Sequence, residues 1–100
     1  MFTHHVFFWL REDLSAEESA RFYDSVSTLL TIDCVEKGIL GKPAPTDRPV
    51  IERSYSYSLL LMFKSQAEHD IYQPHPTHQK FVATCKDLWS RVLIFDSIDA

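Results

Sequence analysis

The stretch Phe2-Thr3-His4-His5-Val6-Phe7-Phe8-Trp9-Leu10 is apolar or aromatic at almost every position. In an extended strand successive side chains point to opposite faces, so such a run demands cover on both sides. A chain of 100 residues buries one core and little beyond it. One face of this strand can lie under the chain's own helices. The other needs a second layer, and so short a chain has no spare elements to supply it. The alternation is read as placing Thr3, His5, Phe7 and Trp9 toward the helices, with Phe2, His4, Val6, Phe8 and Leu10 on the opposite face.

The remaining segments follow from their periods and punctuation. Ser15-Ala16-Glu17-Glu18 pairs a serine with a glutamate three residues on, the reciprocal capping arrangement of a helix start. The apolar positions Phe22, Tyr23, Val26, Leu29 and Leu30 then recur at helical spacing, which predicts a helix over 16–30. Cys34 to Leu40 reads as a second strand ending at Gly41. Residues 42–54 hold Pro43, Pro45 and Pro49 without any period and form a loop long enough to be a candidate lid. Tyr55 to Phe63 alternates, with Tyr57, Leu59, Leu61 and Phe63 on one side and Ser56, Ser58, Leu60 and Met62 on the other. Ser65 to Glu68 repeats the capping pattern and opens a short helix that Pro74 must stop. A second helical run, 77–89, carries the stripe His78, Phe81, Val82, Cys85, Leu88 and Trp89, and 92–98 is a last strand.

The order is β-α-β-β-α-β, with the second helix split. That predicts an α+β, ferredoxin-like domain over residues 1–100: one antiparallel sheet with both helices on one face. The uncovered face, expected to hold Phe8, Leu60, Met62 and Phe95, predicts a homodimer packed sheet to sheet. At about 25 cal/mol per Å², covering a few hundred Å² of it stabilises a marginal domain by several kcal/mol.

Charge and cysteine usage narrow the partners. A net charge of −4, with ten basic residues scattered along the chain, opposes binding to nucleic acid. The opening run Phe2 to Leu10 lacks a basic n-region and a small-residue cleavage site and is too short and strand-like to read as a signal peptide or membrane span. Cys34 and Cys85 have neither framework nor C-x-x-C spacing, which fits a reducing cytoplasm.

The chemistry concentrates at Tyr72-Gln73-Pro74-His75-Pro76-Thr77-His78. A proline-broken joint there sets a phenol and two imidazoles beside the apolar stripe that continues at Phe81. An imidazole can take a proton near neutral pH, and a neighbouring tyrosine can hold a developing oxyanion. The bland alternative is that His78 donates to a carbonyl of the turn and only locks the helix start. His5, read as facing the helices, is either an orienting partner of that pair or a satisfied core histidine. His69, His75 and His78 are close in sequence, but the prolines separate His69 from the others and no carboxylate or cysteine completes a set; no metal or organic cofactor is expected. Ser15 and Ser65 are caps rather than nucleophiles. Cys85 belongs to the core stripe, and Asp87 and Asp96 read as solvated or surface-paired.

His4-His5 in the first strand, the Tyr72…His75-Pro76-Thr77-His78…Phe81 joint and the closing Trp89…Val92-Leu93-Ile94-Phe95-Asp96 strand together resemble the stress-responsive dimeric α/β-barrel (Dabb) family. The resemblance implies a homodimer whose two sheets close into a barrel. Plant members of the olivetolic acid cyclase type close a linear polyketide by aldol condensation without metal or organic cofactor. Their catalytic tyrosine and histidine correspond to Tyr72 and His78 and their first-strand histidine to His5. Their apolar pocket wall corresponds to Phe7, Trp9, Phe22, Tyr23, Leu59, Leu61, Phe81, Trp89 and Ile94. Two departures, Val82 in place of a glycine and the larger Trp9, imply a smaller cavity here. The function expected is the binding of a small apolar, aromatic or carbonyl compound. A cofactor-free cyclase or isomerase and a non-catalytic stress-related dimer are the alternatives.

Overall fold

The computed structural model describes residues 1–100. Its strands are β1 (Phe2–Leu10), β2 (Lys37–Gly41), β3 (Tyr57–Phe63) and β4 (Trp89–Ile98); its helices are α1 (Ala16–Ser27), α2 (Gln66–Tyr72) and α3 (Pro76–Cys85). They form one sheet in the order β2-β3-β1-β4, with every neighbouring pair antiparallel. This is the ferredoxin-like α+β arrangement expected from the order of elements. The molecule is a slab of 37 × 35 × 17 Å, thick enough for one helix layer on one sheet, so no second layer of helices or strands covers the other sheet face.

Local chemistry explains the boundaries. Ser15 and Glu18 make both bonds of the capping box, at 3.1 and 3.0 Å. At Ser65 only half of it forms, the Glu68 amide donating to the serine at 3.4 Å. α1 ends sooner than its apolar stripe suggests: after Ser27 the chain tightens into a 3-10 turn, Thr28–Thr31, that still buries Leu29. α3 likewise stops at Cys85, and Trp89 of the predicted helical stripe opens β4 instead. Gly38 of β2 passes under that 3-10 turn, where an added Cβ would stand 2.6 Å from Leu30 Cδ2. The added methyl would displace the end of the Leu30 side chain, and with it part of the packing between strand and turn.

The core comprises Phe2, Val6 and Phe8 of β1, Leu59, Leu61 and Phe63 of β3, Phe22, Val26 and Leu29 beside them, and Tyr72, Phe81, Cys85 and Leu88. β3 alternates as read, but β1 is inverted with respect to the expectation. Phe2, His4, Val6 and Phe8 are buried under the helices, while Thr3, His5, Phe7 and Trp9 lie on the open face. Pairing decides this: His4 stands opposite Leu61 and Val6 opposite Leu59, and directly opposed residues share a face. Phe8, expected on the open face, is 3% exposed in the core, whereas Phe95 is 59% exposed.

Residues 42–54 contain no helix or strand. The chain leaving this loop folds toward the open face: Ser54 accepts a hydrogen bond from Trp9 Nε1 at 2.9 Å, and Tyr55 packs edge-on against Phe7.

Candidate functional site

The split between α2 and α3 follows from proline chemistry. Pro74 and Pro76 cannot continue a helix with normal backbone donors, but Pro76 is well placed in the first turn of α3. His75 is the cap of that turn, its Nδ1 accepting from the Thr77 amide at 3.1 Å. His78, one turn later, donates from Nδ1 to the Gln73 carbonyl at 3.0 Å. A carbonyl only accepts, so Nδ1 carries the proton and Nε2 keeps its lone pair. The internal lock anticipated for His78 is thus present on one nitrogen, while the other has no partner in the protein.

Tyr72 ends α2 with its ring 4.8 Å from that of His78. It is 1% exposed, yet its hydroxyl makes no hydrogen bond within the protein. No fully enclosed side-chain nitrogen or oxygen lacks a partner, so this hydroxyl opens onto space. That space is a cavity of about 200 Å³ between helices and sheet, walled by Val6, Phe8, Leu29, Leu59, Phe81, Val82, Trp89, Val92 and Ile94, with His4, Tyr72, Gln73 and His78 as its polar lining. Sites for drug-sized ligands run to roughly 300–1,000 Å³, so this one suits a smaller molecule. Val82 forms part of the wall.

Burial sets the proton affinities. It holds the Tyr72 phenol well above the ordinary tyrosine range, leaving it a proton donor rather than a tyrosinate. Burial lowers the His78 pKa, against the opposing effect of the Gln73 bond, and so favours the neutral imidazole with its free Nε2. His4 is also lowered by burial, which outweighs the pull of Asp96, whose Oδ1 lies 2.6 Å from His4 Nδ1.

The sequence-predicted residues divide between the two sides of the sheet. Tyr72, His78, Leu59, Phe81, Trp89 and Ile94 meet at the cavity. His5, Phe7 and Trp9 do not: His5 stacks on Phe7 on the open face, and the imidazole that β1 contributes to the cavity is His4. Trp9 lies under the Arg91 guanidinium at 4.3 Å. Phe22 and Leu61 are in the core but outside the cavity wall, and Tyr23 is 51% exposed. No residue of 42–54 borders the cavity, so the loop does not lie over it.

Sequence reasoning passed over Gln73, put His4 on the opposite face, set His69 aside as a metal ligand and read Asp96 as solvated or surface-paired. His69 lies three residues before Tyr72 on α2, a spacing that puts both on one face. It stacks on Phe2 at 4.4 Å, and its ring centroid is 4.9 Å from that of His4. Asp96 is the cross-strand partner of His4.

The architecture defines an α+β protein with a ferredoxin-like sheet, one open sheet face and a small apolar cavity under the helices. The chain belongs to the Stress responsive A/B Barrel Domain (Dabb) family, whose model matches residues 2–99. Among solved structures it is similar to a Dabb family protein with a ferredoxin-like fold from Mesorhizobium loti (24% identity, 99% of this chain and 96% of that one, TM-score 0.78). It is also similar to a dimeric ferredoxin-like protein of unknown function from Thermobifida fusca (14% identity, 98% and 90% covered, TM-score 0.77). A third similar structure is the hydroxynitrile lyase of Passiflora edulis (15% identity, 99% and 93% covered, TM-score 0.79). At these identities the likeness is one of fold. No curated protein matches the chain, and no helix is long and apolar enough to cross a membrane.

Proposed function

We propose that this chain works as a single-domain homodimer that binds a small carbonyl or phenolic compound in the cavity beneath its helices. The observation that carries the reading is the Tyr72 hydroxyl. A phenol that is 1% exposed and unpartnered within the protein costs stability unless something in the cavity accepts its proton. A carbonyl or phenolate oxygen is such an acceptor, and the surrounding Phe8, Phe81, Trp89 and Ile94 favour an apolar body.

If the compound reacts, the two polar groups define the chemistry. His78 Nε2 removes a proton from the carbon next to the carbonyl while Tyr72 donates to the oxygen as it becomes an enolate. Enolisation, isomerisation and aldol closure all begin with that step, and none of them asks more of the protein than this pair. The fold shared with a hydroxynitrile lyase is compatible with proton-transfer chemistry and names no substrate here. In this reading His4, which lines the cavity, rather than His5, is the first-strand histidine of the site.

The second reading, a non-catalytic structural dimer, is favoured by the bond from His78 to Gln73, which is what a turn lock would make. Binding separates the two. Titration with a small aromatic ketone, followed by the fluorescence of Trp89 in the cavity wall, should saturate in the wild type. Deuterium exchange from solvent at the ketone's α-carbon then tests catalysis. Absence of both would leave the structural reading.

The homodimer is proposed to use the open face. Phe7, Leu60, Met62, Leu93 and Phe95 present apolar surface there, and similar folds are described as dimeric. Cys34 and Cys85 are free thiols, in keeping with a reducing cytoplasm. Sedimentation at micromolar concentration decides the assembly: a monomer would refute it.

A further inference from the structure

We propose that His4, His69 and Asp96 form a binding site for a divalent transition ion of the zinc class, at the rim of the cavity. The proposal does not require the cavity to bind a carbonyl compound, although His4 also lines that cavity. One donor atom from each of these residues lies within 4.8 Å of the other two. They come from three different elements, β1, α2 and β4, so only the folded chain brings them together.

The supports are specific to each ligand. His4 is 3% exposed and sits opposite Asp96 across the β1–β4 pair, so their side chains leave the sheet on the same face. His69 is 9% exposed and held by its stack on Phe2. Its Nδ1 faces Asp70 Oδ1 at 3.2 Å, and its Nε2 faces the Gln73 amide, also at 3.2 Å. Whichever ring nitrogen turns to an ion, the other keeps a polar partner, the outer-shell support that metal-bound histidines usually have.

Distance and donor type select the ion. Zinc bonds of about 2.0–2.2 Å in tetrahedral geometry hold ligand atoms roughly 3.4 Å apart. His4 Nδ1 and Asp96 Oδ1, at 2.6 Å, are closer than that, and all three donor atoms lie within 4.8 Å of one another. Asp96 is the ligand free to adjust, because its side chain is 42% exposed on an edge strand. Two imidazoles and one carboxylate suit zinc, cobalt(II) or iron(II) and disfavour magnesium and calcium, which take oxygen ligands. Three protein donors leave at least one position for water or for an atom of a cavity ligand. A bound ion would also tie β4, which has a strand neighbour on one side only, to β1 and α2.

The test uses the untagged full-length chain, stripped with a chelator and titrated with cobalt(II), whose visible absorption reports tetrahedral coordination. The expected result is saturation at about one ion per chain, displacement by zinc, and a higher unfolding temperature with zinc than without. Asp96→Asn and His69→Gln should each weaken binding more than ten-fold, while His5→Gln, on the open face, should leave it unchanged. Far-UV circular dichroism checks that the variants fold. If His69→Gln does not, Asp96→Asn, at a half-exposed position, still decides. The assignment is overturned by absence of saturable cobalt binding, by binding that survives Asp96→Asn at full strength, or by its loss in His5→Gln.

Discussion

Replacing Tyr72 by phenylalanine removes one oxygen and leaves the ring, and the structure says where that oxygen matters. The ring packs against Phe63 at 5.4 Å, His78 at 4.8 Å and His4 at 5.8 Å; all three contacts survive the change. No hydrogen bond inside the protein is lost, because the hydroxyl makes none. The unfolding free energy should therefore move by less than about 0.5 kcal/mol, and removal of an unpartnered buried polar group can even raise it. A hydroxyl serving as an internal lock would instead cost about 1–3 kcal/mol by leaving its partner unsatisfied. The ligand side is opposite in sign: losing one neutral hydrogen bond to a bound carbonyl, worth about 0.5–1.5 kcal/mol, weakens binding roughly two- to thirteen-fold. Urea unfolding at fixed protomer concentration, paired with the Trp89 fluorescence titration, measures both quantities on the same variant. A loss of stability above about 1.5 kcal/mol with unchanged ligand affinity would refute the account of the cavity, since it would mean that the hydroxyl works for the fold.

His78→Ala removes the bond to Gln73 and should lower stability by about 1–2 kcal/mol while abolishing any α-carbon exchange; intact ligand binding with a larger stability loss would make His78 a turn lock alone. Gly38→Ala brings a methyl to 2.6 Å from Leu30 Cδ2, which the Leu30 side chain relieves by turning away, so urea unfolding should show a destabilisation of no more than about 1 kcal/mol; a larger loss would mean that the 3-10 turn itself is forced to move. Burial lowers the pKa values of His4, His5 and His78 below the ordinary histidine value. The unfolded chain then binds protons that the folded chain refuses, so stability is full above about pH 6.5 and is lost as pH falls toward and through the folded values; a melting temperature no lower at pH 5 than at pH 7.5 would contradict this. Phe95→Asp, on the 59% exposed ring of the open face, should turn the dimer into a monomer by sedimentation with the secondary structure intact, and a persistent dimer would point to another interface.

The order of elements, the helix caps and the face of β3 are all legible without coordinates, because each rests on a local signal. Ser15 with Glu18 marks a helix start, and Leu59, Leu61 and Phe63 alternate with residues that remain outside the core. The Tyr72–His78 pair is legible for the same reason: proline fixes the joint, and the helical repeat fixes which side of α3 His78 takes. The face of β1 is different. Its residues are apolar on both sides, so its own pattern cannot say which set goes inward, and a shift of one residue exchanges them all. The pairing of His4 with Leu61 settles it, since the alternation of β3 is unambiguous and opposed side chains share a face. From that single decision follow the move of His5, Phe7 and Trp9 to the open face and the arrival of His4 at the cavity. The meeting of His4 with His69 and Asp96 follows too, and it joins residues from three elements distant in sequence. Sequence by itself determined the elements and their order, because those are held by neighbours along the chain. Only tertiary structure decided which side chains share the cavity, because that depends on register between strands and on where α2 comes to rest.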